Sequence, residues 1–210
     1  MPTCAQCAAF ACRKGDENAM PANCPGRDSA LMENILDEYM SEENNRFFRI
    51  AAEVEKIGYC RWPRVKETLE FCRRMGYKKV GMAFCMGLRQ EAKAILPLFA
   101  DYGIELVSVV CKTGGIPKQK AGIPEECVIR PGTHESICNP IAQARILNAE
   151  KTEFNIALGL CIGHDSLFYK HSDALATTLV VKDRALANNP AGAIYCANGY
   201  FKARLSPDAE

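Results

Sequence analysis

The 210-residue sequence lacks the features that identify several common classes of protein. It has no apolar run near the roughly 18 residues that a membrane-spanning helix requires. Its lysines and arginines are dispersed and its formal net charge is +1, so no basic face for nucleic acid is expected. The stretch from Met1 to Gly15 has neither the basic segment nor the apolar core of a signal peptide. We therefore expect a cytoplasmic protein that binds neither nucleic acid nor membrane.

Familiar catalytic motifs are also missing. No GxGxxG follows the first predicted strand and no Walker-type loop occurs, so the usual phosphate-binding signatures are excluded. The pair Gly114-Gly115 is too short a signal to indicate nucleotide binding. The sequence contains neither a Gly-x-Ser-x-Gly elbow nor an HExxH helix, which excludes those two hydrolase signatures.

Cysteine, by contrast, is abundant. Without an export signal, clustered cysteines are more often metal ligands or catalytic groups than disulfides. Twelve cysteines among 210 residues also fall short of the roughly 8–10% that is typical of disulfide scaffolds. The composition therefore favours metal binding over a disulfide framework.

Hydrophobic periodicity predicts helices first and then alternating strands and helices. Helical spacing covers residues 29–40 and 42–57, and a third helix runs from Trp62 to about Met75. Strands are predicted at 79–85, 105–111, 154–161 and 175–182, with helices at 88–102, 139–150 and 165–170 between them and a last short helix from Asn189-Pro190. This alternation predicts an α/β fold, a mostly parallel, Rossmann-like sheet with flanking helices. We divide the chain into a Cys-rich metal-binding segment (1–27), a helical region that packs on the core (28–76) and the α/β domain (77–210).

The first cysteine group is local in sequence. Its members follow the pattern Cys4-x2-Cys7-x4-Cys12-x11-Cys24-Pro25. Four thiolates suit an iron–sulfur cluster or a structural zinc, and a Cys-Pro end is typical of ferredoxin clusters, although this spacing matches neither standard ferredoxin pattern. Zinc ribbons usually have two Cys-x2-Cys knuckles, whereas this segment has one. The alternative is a set of unligated thiols in an irregular tail.

The second cysteine group is scattered along the chain. Cys85, Cys111 and Cys161 each end a predicted strand, and Cys138 directly precedes the helix cap Asn139. Carboxyl ends of parallel strands meet at one edge of the sheet, where ligands bind, so the four thiols are expected to form a second metal site. Any one of them can instead be a small core residue, since free cysteine is often buried.

Other residues at the same edge are candidates for binding and catalysis. Each strand-end cysteine is followed within three residues by a glycine that lets backbone approach a cofactor, namely Gly87, Gly114 and Gly163. His164 can donate to a substrate or ligate a metal, and Lys182 and Arg184 can anchor an anionic substrate or balance an anionic cluster. A helix cap for His164 and an ordinary surface ion pair for the two cations are the alternatives.

Long runs of the sequence carry a family resemblance. The runs CNPIAQARILN, GLCIGHDSLFYKHS and VVKDRALANNPAGAIY, with the leading CAQC segment and the strand-ending AFC, resemble an uncharacterised family of predicted cysteine-rich metal-binding proteins, a domain of unknown function. The resemblance covers nearly the whole chain. It implies metal binding through the cysteines named above and supplies no established reaction.

The leading functional hypothesis is an iron–sulfur protein with two cysteine sites, with clusters of the 4Fe–4S type. Such a protein acts in redox or sulfur-related small-molecule chemistry, or in electron transfer, with a small-molecule substrate or a redox partner protein. One alternative is a zinc-containing module that binds or senses a small ligand without redox activity. A third is thiol chemistry, in which the strand-edge cysteines cycle between dithiol and disulfide.

Overall fold

The computed structural model of the protein describes residues 1–207. The chain divides into two compact units, Met1–Ile57 and a second that begins at Gly58. The first unit combines the Cys-rich segment with two helices. The second contains a third helix and all the strands found among the described residues.

The first unit begins with irregular backbone and continues as helices α1 (Ser29–Met40) and α2 (Glu42–Gly58). Short 3₁₀ turns occupy Cys4–Gln6, Ala11–Lys14, Glu17–Ala19 and Pro25–Arg27. Helix α1 starts where the Asp28 carboxylate accepts a hydrogen bond from the Leu31 N–H at 3.0 Å, the usual role of an N-cap aspartate. Both predicted helices are confirmed, with ends that agree to within one residue.

The second unit alternates strands and helices, which confirms the predicted α/β, Rossmann-like fold. Its helices and strands are, in chain order, α3 (Arg64–Met75), β1 (Lys79–Phe84), α4 (Arg89–Asp101), β2 (Glu105–Val110), α5 (Pro140–Ala149), β3 (Phe154–Leu158), α6 (His164–His171), β4 (Ala176–Val180), α7 (Ala191–Tyr195) and α8 (Lys202–Leu205). The short helix α8 is the one element of this set that the sequence pattern did not predict. None of the helices within residues 1–207 has both the length and the apolar composition needed to cross a bilayer.

All four strands are parallel, in the spatial order β2-β1-β3-β4. Lys79 of β1 lies opposite Glu105 of β2, and Val80 lies opposite Phe154 of β3. After β2 the chain returns past β1 to form β3, so the direction of winding changes between β1 and β3. In open α/β sheets ligands bind at such a switch point, outside the carboxyl ends of the strands.

The sheet core depends on a close contact between β1 and β3. Asn155 is fully buried in β3, where its amide donates to the Ser172 hydroxyl and accepts from the Thr152 hydroxyl, each at 2.8 Å. A Cβ on Gly81 of β1 would lie 2.0 Å from Asn155 Oδ1 and 2.8 Å from Leu147 Cδ1. Only glycine fits at this position, because any side chain would displace the buried amide or the helix residue behind it.

The strands end earlier than the sequence pattern predicted. Strands β1 and β2 stop one residue before Cys85 and Cys111, and β3 stops at Leu158, three residues before Cys161. Gly159 ends β3 because its φ of +64° is incompatible with extended backbone. The sheet still positions the first two cysteines, since the Cys85 N–H donates to Leu158 O at 3.0 Å and the Cys111 N–H donates to Phe84 O at 2.9 Å.

Candidate functional site

The carboxyl edge of the sheet brings together cysteines from four separate elements. Cys85 follows β1, Cys111 follows β2, Cys161 follows β3, and Cys138 precedes α5. All four line a single pocket, which we call the thiol pocket; its other lining residues are Gln143, Leu160 and His164. The side chains that line the pocket leave no space for a water molecule between them. The sequence predicted that these cysteines share one edge of the sheet, and the structure shows that they line the same pocket.

Cys138 is held against the end of β2 by the residue that follows it. The Asn139 N–H donates to Cys111 O at 2.7 Å, and its side-chain amide donates to Thr113 O at 3.3 Å. The same side chain accepts from the Ala142 N–H at 3.1 Å, which makes Asn139 the predicted N-cap of α5. The helix start and the strand end are thereby tied together, and Cys138 lies beside Cys111.

Cys111 is the central thiol of the group. It is buried, whereas Cys85 and Cys138 on either side of it are half-buried. A hydrogen bond with Cys111 lowers the pKa of Cys85 and of Cys138, with a smaller contribution from Lys182 at Cys85. These contacts, Cys138 first, and burial raise the pKa of Cys111 itself, so Cys111 is the protonated member of the trio. The Met86 N–H donates to Cys111 Sγ at 3.3 Å.

Cations surround the thiols. Arg184 Nη2 donates to Cys161 Sγ at 2.8 Å, so the arginine opposes the rise in the pKa of Cys161 that burial causes. Lys182 lies beside Cys85: a Cβ built on Gly87 would be 3.4 Å from Lys182 Nζ and 3.7 Å from Cys85 Sγ. Lys112 lies near Cys138 and donates to Ser136 O at 2.6 Å.

His164 lies at the first position of α6, where its backbone N–H donates to Cys161 O at 2.9 Å. Its ring lines the thiol pocket, and Nδ1 is buried without a hydrogen-bond partner. The three residues predicted to be catalytic, His164, Lys182 and Arg184, are therefore all close to the strand-edge thiols. Their catalytic role stays a prediction.

The three predicted cofactor-binding glycines differ in their surroundings. Gly87 lies next to Cys85 and Lys182. Gly114 and Gly163 have φ values of +88° and +79°, so their backbone conformation alone accounts for glycine at these positions. No atom lies within 4 Å of a Cβ built on Gly163. That these residues contact a cofactor stays a prediction.

The N-terminal cysteines are only partly brought together. Cys4, Cys7 and Cys24 line a pocket of about 230 Å³, whereas Cys12 lies outside its lining, exposed in the turn Ala11–Lys14. Asn23 also lines the pocket, and its amide donates to Thr3 Oγ1 at 2.9 Å and to Met1 O at 3.3 Å.

Neither cysteine group has the preformed geometry of a single metal ion. Within residues 1–207 no three His, Cys, Asp or Glu side chains surround a point as the ligands of one ion do. Zinc–sulfur bonds are about 2.3 Å long, so thiols must point at a common centre to ligate one ion. Binding of a single metal ion at either group therefore requires rotation of the thiol side chains.

Gln143 lines the thiol pocket but was not predicted from the sequence to belong to the site. This residue of α5 is fully buried, and its amide Nε2 donates to Val109 O at 2.7 Å and to Phe84 O at 3.2 Å. It lies four residues after the cap Asn139, and therefore on the same face of the helix start, which is the one signal in the sequence that could have found it.

Comparisons with known proteins identify relatives without a described activity. The profile of the family described as "Protein of unknown function (DUF1847)" matches residues 24–179. An uncharacterized protein of Methanocaldococcus jannaschii is 46% identical over 165 residues, which cover 79% of this chain and 83% of that protein. The family match includes all four cysteines of the thiol pocket and begins at Cys24, after the other three N-terminal cysteines.

Proposed function

Because this chain belongs to DUF1847, a family of proteins of unknown function, its activity has to be inferred from the site, and we propose that the thiol pocket holds an iron–sulfur centre. The observation that carries the proposal is the convergence of Cys85, Cys111, Cys138 and Cys161 from four separate elements on one pocket. Sets of thiolate ligands select iron–sulfur clusters, zinc and copper(I) over the harder metal ions. When bound, a cluster would supply one-electron transfer.

The surroundings of the thiols support an anionic centre. Several thiolates in a partly buried site need compensating charge, and Arg184, Lys182 and Lys112 supply it from the loops after β4 and β2. The Met86 N–H that donates to Cys111 Sγ is the kind of backbone contact that sets cluster potential. These residues therefore balance charge and orient sulfur, while the four cysteines provide the ligands.

A second centre is proposed at the N-terminus. Cys4, Cys7 and Cys24 would ligate it, with Cys12 brought in by rearrangement of the irregular segment, and its exposed position suits electron entry or structural closure. The protein as a whole would serve redox or sulfur-related small-molecule chemistry, or electron transfer to a partner protein. We place this activity in the cytoplasm, where thiols stay reduced.

Anaerobic reconstitution tests the proposal. The full chain is incubated with iron and sulfide, desalted, and examined by absorption, EPR and metal analysis. We expect bound iron and acid-labile sulfide, with the broad visible absorption of a cluster. A colourless protein that contains zinc but neither iron nor sulfide would contradict the iron–sulfur centre and favour the zinc-containing binding or sensing module.

Contact between Cys111 and its two neighbours favours a second candidate function, thiol–disulfide exchange. The Cys138 thiolate would attack a small-molecule disulfide and release one thiol, and Cys111 would then displace the second thiol, leaving a Cys111–Cys138 disulfide. The substrate gains the two electrons and two protons that the cysteines lose. Thiol titration with and without reductant tests this: Cys138→Ser should remove a disulfide in this case, whereas it should release metal if the pocket holds a cluster.

A further inference from the structure

Gln143 lines the thiol pocket, and its side-chain oxygen is buried without a hydrogen-bond partner among the described residues. The residue is fully buried and lines the pocket, and its Oε1 accepts no hydrogen bond from any described residue. The amide cannot turn around to bury this oxygen elsewhere. Its nitrogen donates to Val109 O and Phe84 O, and a flipped amide would place oxygen against both carbonyls.

A thiol-held metal centre does not satisfy this oxygen. Thiolate sulfur and inorganic sulfide accept hydrogen bonds and do not donate them, so Gln143 Oε1 requires a donor from another group. Buried acceptors without a donor are uncommon in proteins because their desolvation is not compensated. His164 Nδ1 is a second buried polar atom without a partner on the lining of the same pocket.

The charge at the pocket indicates the sign of the missing ligand. Arg184, Lys182 and Lys112 lie against three of the thiols. Among the residues that the structure describes, no carboxylate lines the pocket. In the metal-free protein, these cations therefore favour a ligand that carries negative charge.

We propose that the thiol pocket binds a small monoanion that carries a hydrogen, and that Gln143 Oε1 accepts this hydrogen. The proposal concerns the same pocket as the proposed function and goes beyond it, because it names a ligand of the metal-free pocket. Entry of the anion requires rotation of Cys85 or Cys138, the two half-buried thiols of the pocket lining. Gln143 thereby acts as the group that selects a protonated anion over an unprotonated one.

Two anions of equal charge and nearly equal shape test the proposal. Bicarbonate and nitrate are both planar, and bicarbonate alone has an O–H group. The reduced full chain is titrated with each at pH 8 and equal ionic strength, and binding is measured by calorimetry. We expect bicarbonate to bind roughly tenfold more tightly than nitrate, or more, because only bicarbonate donates to the buried acceptor.

Gln143→Leu should remove this preference, so that both anions bind with similar, weak affinity. The matched control is Gln119→Leu, which replaces an exposed glutamine whose amide also donates a hydrogen bond, to Glu125 at 2.8 Å, and it should keep the preference. Equal binding of both anions to the unaltered protein, or binding of neither, overturns the proposal even if Gln143→Leu fails to fold. A preference that survives in folded Gln143→Leu also overturns it.

Iron and sulfide are measured in the same samples. A protein that prefers bicarbonate but takes up no iron would contradict the iron–sulfur centre and leave the anion site intact. A protein that takes up iron without discriminating between the anions would do the reverse. The two proposals can therefore fail independently.

Discussion

The two cysteine groups of this protein are organised in opposite ways. Cys4, Cys7, Cys12 and Cys24 are close in sequence, lie on irregular backbone and are exposed or half-buried, and one of them stays outside the pocket that the others line. Cys85, Cys111, Cys138 and Cys161 are far apart in sequence, yet the sheet brings all four to one pocket. The first group has a compact sequence motif but no regular secondary structure to position its thiols. The second has no sequence motif, but the sheet positions its thiols.

This difference predicts different consequences of ligand binding. In the strand-edge group, backbone hydrogen bonds from Cys85, Cys111 and Asn139 fix the chain beside the thiols before anything binds. In the N-terminal group the backbone around Cys12 must still move, so a metal would supply much of the order of that segment, as in small metal-dependent domains. The strand-edge site should therefore keep its structure without a metal, whereas the N-terminal site should not.

The largest expected effect comes from one cysteine replaced in each group. Cys138→Ser should abolish the strand-edge centre and remove roughly half of the bound iron and sulfide if both groups hold a cluster, because serine is a poor ligand for iron. Cys7→Ser is the matched control, since both cysteines are half-buried and replaced by the same residue. It should remove the other half with a different EPR signal. Identical spectra for the two variants would contradict the existence of two separate centres.

The second-largest effect is expected from alkylation of the metal-free, reduced protein, which should distinguish the two cysteine groups by their reaction rates. Cys111 is 3% exposed, whereas Cys12 is exposed at the surface. Iodoacetamide should therefore modify Cys111 on the order of a hundredfold more slowly, because reagent reaches it only after local opening of the sheet edge. Peptide mass spectrometry measures both rates in one sample, with exposed Cys127 as an internal reference. Comparable rates would show that the strand edge is not preorganised.

Arg184 should contribute a smaller, graded effect. Its guanidinium donates to Cys161 Sγ at 2.8 Å, so Arg184→Gln should weaken metal binding at the strand edge by about tenfold, the lower end for groups that orient metal ligands. Competition with a coloured chelator measures the affinity. The control is Arg13→Gln, which removes an exposed arginine next to Cys12 and should leave that affinity unchanged. An equal loss in both variants would indicate a general effect of charge.

Much of this organisation could be predicted from the sequence, because it depends on local patterns. Apolar spacing predicted helices α1 and α2 to within one residue, and Asn139-Pro140 marked the start of α5. The placement of cysteines at strand ends followed from the rule that parallel strands end at a common edge. Each of these predictions needed only residues that are near one another in the chain.

What the sequence could not predict depends on contacts between distant residues. The order β2-β1-β3-β4 is set by packing such as that of Gly81 against Asn155, which no local pattern reports. The role of Gln143 depends on its hydrogen bonds to the carbonyls of Val109 and Phe84, which are far from it in the sequence. The left-handed backbone at Gly159, which ends β3, likewise has no signal in the local sequence pattern.

The smallest expected effect concerns the unit that supports the strand-edge site. Glu70 of α3 is buried and accepts from Arg73 Nη2 at 2.7 Å and from Lys66 Nζ at 3.0 Å. Burial raises the pKa of Glu70, but the hydrogen bonds from Arg73 and Lys66 outweigh it and lower the pKa to about 2. A carboxylate with a lowered pKa stabilises the folded state above its unfolded pKa, and this contribution is lost as the pH falls from about 4.5 toward 2.

Glu70→Gln should therefore reduce the free energy of unfolding at pH 7 by about 1 kcal/mol, a value discounted because its cationic partners are partly exposed. The variant should also lose part of the decline in stability between pH 5 and pH 3. Urea titrations followed by Trp62, the single tryptophan, report on the sheet-containing unit alone. Glu67→Gln is the control, because its pair with Arg64 is 4.0 Å long and more exposed than the pairs of Glu70, and it should change neither quantity measurably. An equal reduction of the pH dependence of the free energy of unfolding in both variants would contradict the prediction, because the buried Glu70 carboxylate would then contribute no more to stability than the more exposed Glu67.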